Sequence, residues 1–112
     1  MQQYLTDIRT IREKIIHCEI SRYLLNLSKG KLTNELFTSL WLESDFQLAY
    51  LIDELIKLIN EPLDDDLIGE VIEEINDKAA IRMIVQENKV IDEGSLSVYI
   101  DKDLAERLRS IR

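Results

Sequence analysis

Residues 44–62, SDFQLAYLIDELIKLINEP, constrain the fold more than any other stretch of the chain. At 100° per residue, Leu48, Ala49, Leu51, Ile52, Leu55, Ile56, Leu58 and Ile59 cover about half of a helix circumference. Gln47, Asp53, Glu54, Lys57 and Asn60 occupy the other half. A face that broad has to be buried against other elements, so the remainder of the chain is expected to pack around it. Ser44 followed by Gln47 has the spacing of a capping box and predicts a helix start there. Pro62 cannot continue a helix and predicts its end. Two aromatics, Phe46 and Tyr50, fall on the polar half four residues apart, a spacing at which side chains are expected to meet. A helix that only builds a core does not need them there. They call for a second packing partner within the chain or a surface for another protein.

The length, 112 residues, is that of a single helical domain, 1–112. One Pro, three Gly and 46% apolar residues indicate an ordered chain with a core. No apolar run is long enough to span a membrane, and the start, MQQYLTDIRTIREK, has no signal-peptide pattern. A lone cysteine, Cys18, cannot form an internal disulfide. Together these predict a soluble cytoplasmic protein. The net charge of −8 is concentrated. Residues 1–33 carry +3, residues 34–78 carry −11 and residues 79–112 are neutral. A field of that sign repels nucleic acid and favours a basic partner. It also keeps a small protein in solution, which is the commoner reason for acidic helices.

Helical periodicity predicts further elements on either side. A first helix over 6–27 has two apolar stripes. One is Ile8, Ile11, Ile15 and Cys18; the other is Ile16, Ile20, Tyr23, Leu24 and Leu27. Either this helix bends or its two stripes meet different neighbours. Gly30 is the expected left-handed cap after it. A short helix over 34–42 follows, with Thr33 as N-cap and Trp41 in the core. Asp64 is placed to cap a helix over 65–76, with Leu67, Ile68, Val71, Ile72 and Ile75 inward and Asp66, Glu70, Glu73 and Glu74 outward. Asn76 or Asp77 starts another over 78–87. The tail alternates: Leu96, Val98 and Ile100 against Ser95, Ser97 and Tyr99. That predicts a short β-hairpin or extended arm near 90–100, then a last helix from Asp101 or Asp103. The expected fold is mainly α, a compact bundle of five to six helices.

Catalytic and cofactor signatures are absent from the pattern. His17 and Cys18 are adjacent, so on a helix they diverge by about 100° and cannot act as a nucleophile–base pair. One His and one Cys do not make a zinc site. Asp64-Asp65-Asp66 lacks the alternation, the turn glycine and the closing glutamate of a calcium loop, and helix capping accounts for it. Gly30, Gly69 and Gly94 are isolated, so no phosphate loop is formed. The expectation is a protein that is not an enzyme, with no catalytic residues, no metal and no cofactor.

Two resemblances add expectations to that reading. The tail LSVYIDKDLAERLRSI resembles the strand-then-helix start of ribbon-helix-helix DNA-binding antitoxins, although the second helix of that family and its basic or amide strand residues are missing. Residues 43–75 resemble the core of small helical immunity proteins of contact-dependent growth inhibition and Maf-type polymorphic toxin systems of bacteria. Glu43, Phe46, Leu48-Ala49, Leu51, Leu55, Leu63 and Ile68 carry the likeness. It implies a protein that binds and neutralises a cognate toxin, commonly a basic nuclease domain such as an EndoU-type RNase. Direct contact with nucleic acid or membrane is not implied. Exposed aromatics beside carboxylates suit such an interface, which places partner binding on Phe46, Tyr50, Asp53, Glu54, Asp66, Glu70, Glu73 and Glu74. The alternative is a homodimeric structural or regulatory module that associates through its first helix and its tail.

Overall fold

The computed structural model describes residues 2–59, 61–87 and 91–111, with side chains from residue 9 onward. All regular structure among them is helical. Helix α1 (Gln2–Leu27) leads through a 3-10 turn (Lys29–Lys31) into α2 (Asn34–Leu58), followed by α3 (Asp65–Ile75), α4 (Lys78–Val85) and α5 (Glu93–Ile111). Helix α1 is the hub, packing against α2, α3 and α5. Its two stripes meet different neighbours. Along one, Cys18 and Arg22 reach Ser44 on α2. On the other side, Ile16 lines a pocket with Ala80 and Ile84 of α4, and Tyr23 stacks edge-on against Tyr99 of α5 with ring centroids 5.6 Å apart. Ile8 of the first stripe has a side chain outside the described set.

Helices α1 and α2 run antiparallel. Ile11 lies near Leu58, Cys18 near Ser44 and Leu25 near Leu40. The turn between them does not use a left-handed glycine: no glycine among the described residues has positive φ. The chain leaves α1 by tightening instead, with the Ser28 amide bonded back to Leu24 and the Lys31 amide to Ser28. Local caps account for the next starts. Thr33 Oγ1 accepts from the Leu36 amide at 3.1 Å, Asp64 Oδ1 from the Leu67 amide at 2.8 Å, and Asp77 Oδ1 from the Ala79 amide at 2.8 Å.

Two further expectations are corrected. The helices predicted over 34–42 and 44–60 are one continuous helix, α2; its predicted end, Asn60, lies outside the described residues. Ser44 does not cap. Its hydroxyl donates to the Trp41 carbonyl at 2.7 Å and accepts from Arg22 Nη1 at 3.1 Å. A mid-helix serine bonded to its own preceding turn leaves no need for a helix start. The tail is the second correction. The hairpin or extended arm predicted near 90–100 is helix from Glu93 on; Val90 lies outside the described residues. Leu96 and Ile100 fit both a strand period and a helix period, but Leu104 and Leu108 continue the i+4 spacing, and all four are fully buried. Val98, the residue that only the strand period would bury, is exposed. Asp92 starts this helix, accepting from the Gly94 amide at 3.0 Å and from Ser95 Oγ at 2.8 Å. Those two bonds hold its carboxyl below the usual carboxylate range. With 95–100 helical, the strand of a ribbon-helix-helix protein is not formed.

The core gathers Ile15 and Ile16 from α1, Leu48 and Leu55 from α2, Ile68 and Ile75 from α3, Ile81 from α4 and the α5 leucines into one cluster. Trp41 lies at its edge, half-buried. It stacks on Phe37 and takes the Arg22 guanidinium on its ring, 4.0 Å from the centroid, a geometry that suits cation–π attraction.

Candidate protein-docking face

Phe46 and Tyr50 stand in solvent. They are 72% and 64% exposed, and neither has a partner ring among the described residues. They project from the outward face of α2 because the opposite face, with Leu48, Ile52 and Leu55, is spent on the core. Asp53 and Glu54 follow on the same stretch, with Lys57 Nζ 3.2 Å from Asp53 and 3.7 Å from Glu54. These exposed pairs are weak and readily exchanged. Beside the aromatics an open groove of about 660 Å³ runs between α1 and α2. Lys14, His17, Cys18 and Ser21 form one wall, and Phe46, Gln47, Tyr50 and Leu51 form the other.

The acidic helix α3 lies on the other flank of α1, so the eight residues predicted for partner binding do not form one continuous surface. Asp66, Glu70 and Glu73 are exposed on it, with no cation paired to them among the described residues. Glu74 is not part of that outer face. Its carboxylate is 2.6 Å from Arg9 Nε and 3.3 Å from Arg12 Nη1, and Arg12 also reaches Asp77 at 3.4 Å. Glu74 thus clamps α3 to α1. Asp66, Glu70 and Glu74 share one i+4 row, which drifts about 40° around the helix at each step, so Glu74 at its end turns toward α1 and meets Arg9 and Arg12.

The groove floor has no catalytic pair. His17 is exposed and pairs with Glu13 at 3.8 Å. Cys18 points inward, its thiol 3.5 Å from the Ser44 carbonyl. Burial, and then the neighbouring Glu19 charge, pushes that thiol up to about 11. A thiol held in its protonated form is a poor nucleophile. No group of three or more His, Cys, Asp or Glu among the described residues could hold a metal ion, and no described helix is long and apolar enough to cross a membrane.

Between α1, α2 and α5 lies a charge cluster that periodicity alone did not single out. Glu19 and Arg22 are buried on α1, Asp45 comes from α2, and Asp103 and Arg107 come from α5. Arg107 bonds to Asp45 and to Asp103, the latter at 3.0 Å, and Arg22 Nη1 is 3.5 Å from Asp45. Neither Glu19 oxygen has a hydrogen-bond partner among the described residues, and Arg22 Nε is 3.8 Å away. Burial, reinforced by Asp103, pushes the Glu19 carboxyl up to about 9. The sequence signal was available: Glu19 sits between Ile15, Ile16 and Tyr23 at i±3 and i±4, where a charge has no exit to water.

Comparison of the chain with protein-family models, with curated proteins and with solved structures finds no match.

Proposed function

We propose that this chain is a binding protein of the immunity type, which neutralises a partner by docking rather than by chemistry. The observation that carries the reading is the pair of solvent-standing aromatics, Phe46 and Tyr50, with Asp53 and Glu54 beside them. Large rings cost free energy when left in water, and aromatics ringed by polar groups are the residues on which tight interfaces are anchored. The acidic α3 face supports the same reading in a different way. Separated from Phe46 and Tyr50 by α1, Asp66, Glu70 and Glu73 act through their field, drawing in a basic domain that then seats on α2. A nuclease domain, whose own groove is built for phosphates, has the complementary sign.

The two parts are separable by experiment. Each reading frame that flanks this one is co-expressed with the chain, and growth and complex formation are followed. The expected result is protection by the wild type, lost in the Phe46→Ala/Tyr50→Ala variant. In the triple charge reversal of Asp66, Glu70 and Glu73, association slows at low salt. A wild-type chain that neither protects nor binds would overturn the reading, as would a Phe46→Ala/Tyr50→Ala variant that protects as well as the wild type.

A further inference from the structure

The groove beside Phe46 and Tyr50 continues in both directions along the α1–α2 seam. Toward one end it passes Lys14 to Ile11 and Leu58; toward the other it passes Ser21 and Gln47 to Leu25 and Leu40. Its α1 wall therefore includes Ile11, Lys14, Cys18, Ser21 and Leu25, spaced 3-4-3-4. Its α2 wall includes Leu40, Glu43, Gln47 and Tyr50, spaced 3-4-3, with Glu54 next in the series. Alternating steps of three and four keep each set on one face of its helix, so the two walls run alongside each other for the length of the groove. From Ile11 to Leu25 the floor is about 21 Å long at 1.5 Å per residue.

The charges on the two walls differ. The α1 wall carries Lys14, which has no ion pair among the described residues, and the α2 side carries Glu43 and Glu54. A partner of a single sign would oppose one wall wherever it suited the other. A copy of this chain brings both signs. A two-fold axis parallel to the helices lays α1 of one copy over α2 of the other at the same level. Lys14 lines the groove with Leu51 and with Leu58, which bracket Glu54. Each Lys14 then faces the other copy's Glu54, drawing it from its exposed pairing with Lys57. At the far end Leu25 and Leu40 meet their counterparts, apolar against apolar.

We propose that a second copy of this chain packs its groove against this one as a weak two-fold dimer. The footprint, about 21 Å by two helix widths of about 10 Å each, is about 420 Å² per copy. That falls below the about 800 Å² per partner of stable complexes and in the range of reversible ones. Weakness is consistent with the uncharged polar residues on the floor, Ser21 and Gln47. The dimer stands on the groove itself, whichever partner the α2 face serves, and such a partner would displace the second copy from Phe46 and Tyr50.

Sedimentation velocity of the free full-length chain, in reductant and from low micromolar to several hundred micromolar, tests the proposal. The expected result is a sedimentation coefficient that climbs from the monomer toward the dimer value. Lys14→Glu and Glu54→Lys each lower the association constant by about threefold to tenfold, and the two combined in one chain restore it. Circular dichroism verifies that the variants keep their helicity. A monomer at every concentration overturns the proposal and leaves the groove open for another occupant. Single variants that associate like the wild type, or a double variant no better than the singles, also overturn it.

Discussion

Glu19 enters the interior between α1, α2 and α5 with neither oxygen met by a donor among the described residues. Around it, three carboxylates (Glu19, Asp45, Asp103) face two guanidiniums (Arg22, Arg107). One bound proton brings the cluster to balance, and a protonated Glu19 can donate to Asp103. In the folded chain the carboxyl titrates at about 9 against an ordinary value of 4.5. The folded state therefore holds a proton that the unfolded chain has given up above pH 4.5. The resulting contribution to stability is fully present below that pH and is lost as pH rises toward 9. Urea midpoints of the wild type are expected to fall between pH 5 and pH 9, whereas Glu19→Gln, which cannot ionise, flattens the trend and is the more stable protein at pH 9. Equal slopes for the two proteins would show that Glu19 is ionised in the fold.

At the scale of elements, the continuity of α2 through Ser44 decides how Phe46 and Tyr50 are held. In an unbroken helix they share the rigidity of the core face behind them; beyond a break they would sit on a separate rod. Asp45 would be the first helical position if Ser44 were a cap, a place where proline is tolerated. In a continuous helix, proline there removes a hydrogen bond and clashes with the preceding turn, at a cost of about 3 kcal/mol or more. Asp45→Ala controls for the lost contacts to Arg22 and Arg107. Denaturant unfolding is expected to place Asp45→Pro about 3 kcal/mol below Asp45→Ala; a gap under about 1 kcal/mol would mean that α2 is interrupted. The comparison also shows which starts the sequence could reveal. Thr33, Asp64 and Asp77 cap through atoms two or three residues away, so their effect is local and legible. Ser44 depends on Arg22, 22 positions upstream, and no local pattern carries that. The tail misled for a related reason: over Leu96–Ile100 the two periods coincide, and only Leu104 and Leu108 separate them.

At the scale of the molecule, a hub helix packed against α2, α3 and α5 leaves the outer faces of α2 and α3 free. The mainly helical bundle was readable from the apolar periods. The aromatics on the polar half of α2 were readable as a feature in need of a partner, and the fold leaves them exposed. The separation of that face from α3 was not readable, because it depends on where α1 passes. Glu74 shows the same limit, since its partners Arg9 and Arg12 lie more than sixty residues away in the chain. The central claim is that Phe46 and Tyr50 serve binding and not folding. The most direct test measures both properties on the Phe46→Ala/Tyr50→Ala variant: unfolding free energy from urea titration and, from calorimetry, affinity for the partner found by co-expression. Stability within about 0.5 kcal/mol of the wild type, with affinity weakened about a hundredfold or more, is the predicted result; a destabilised chain that binds with unchanged affinity would contradict it.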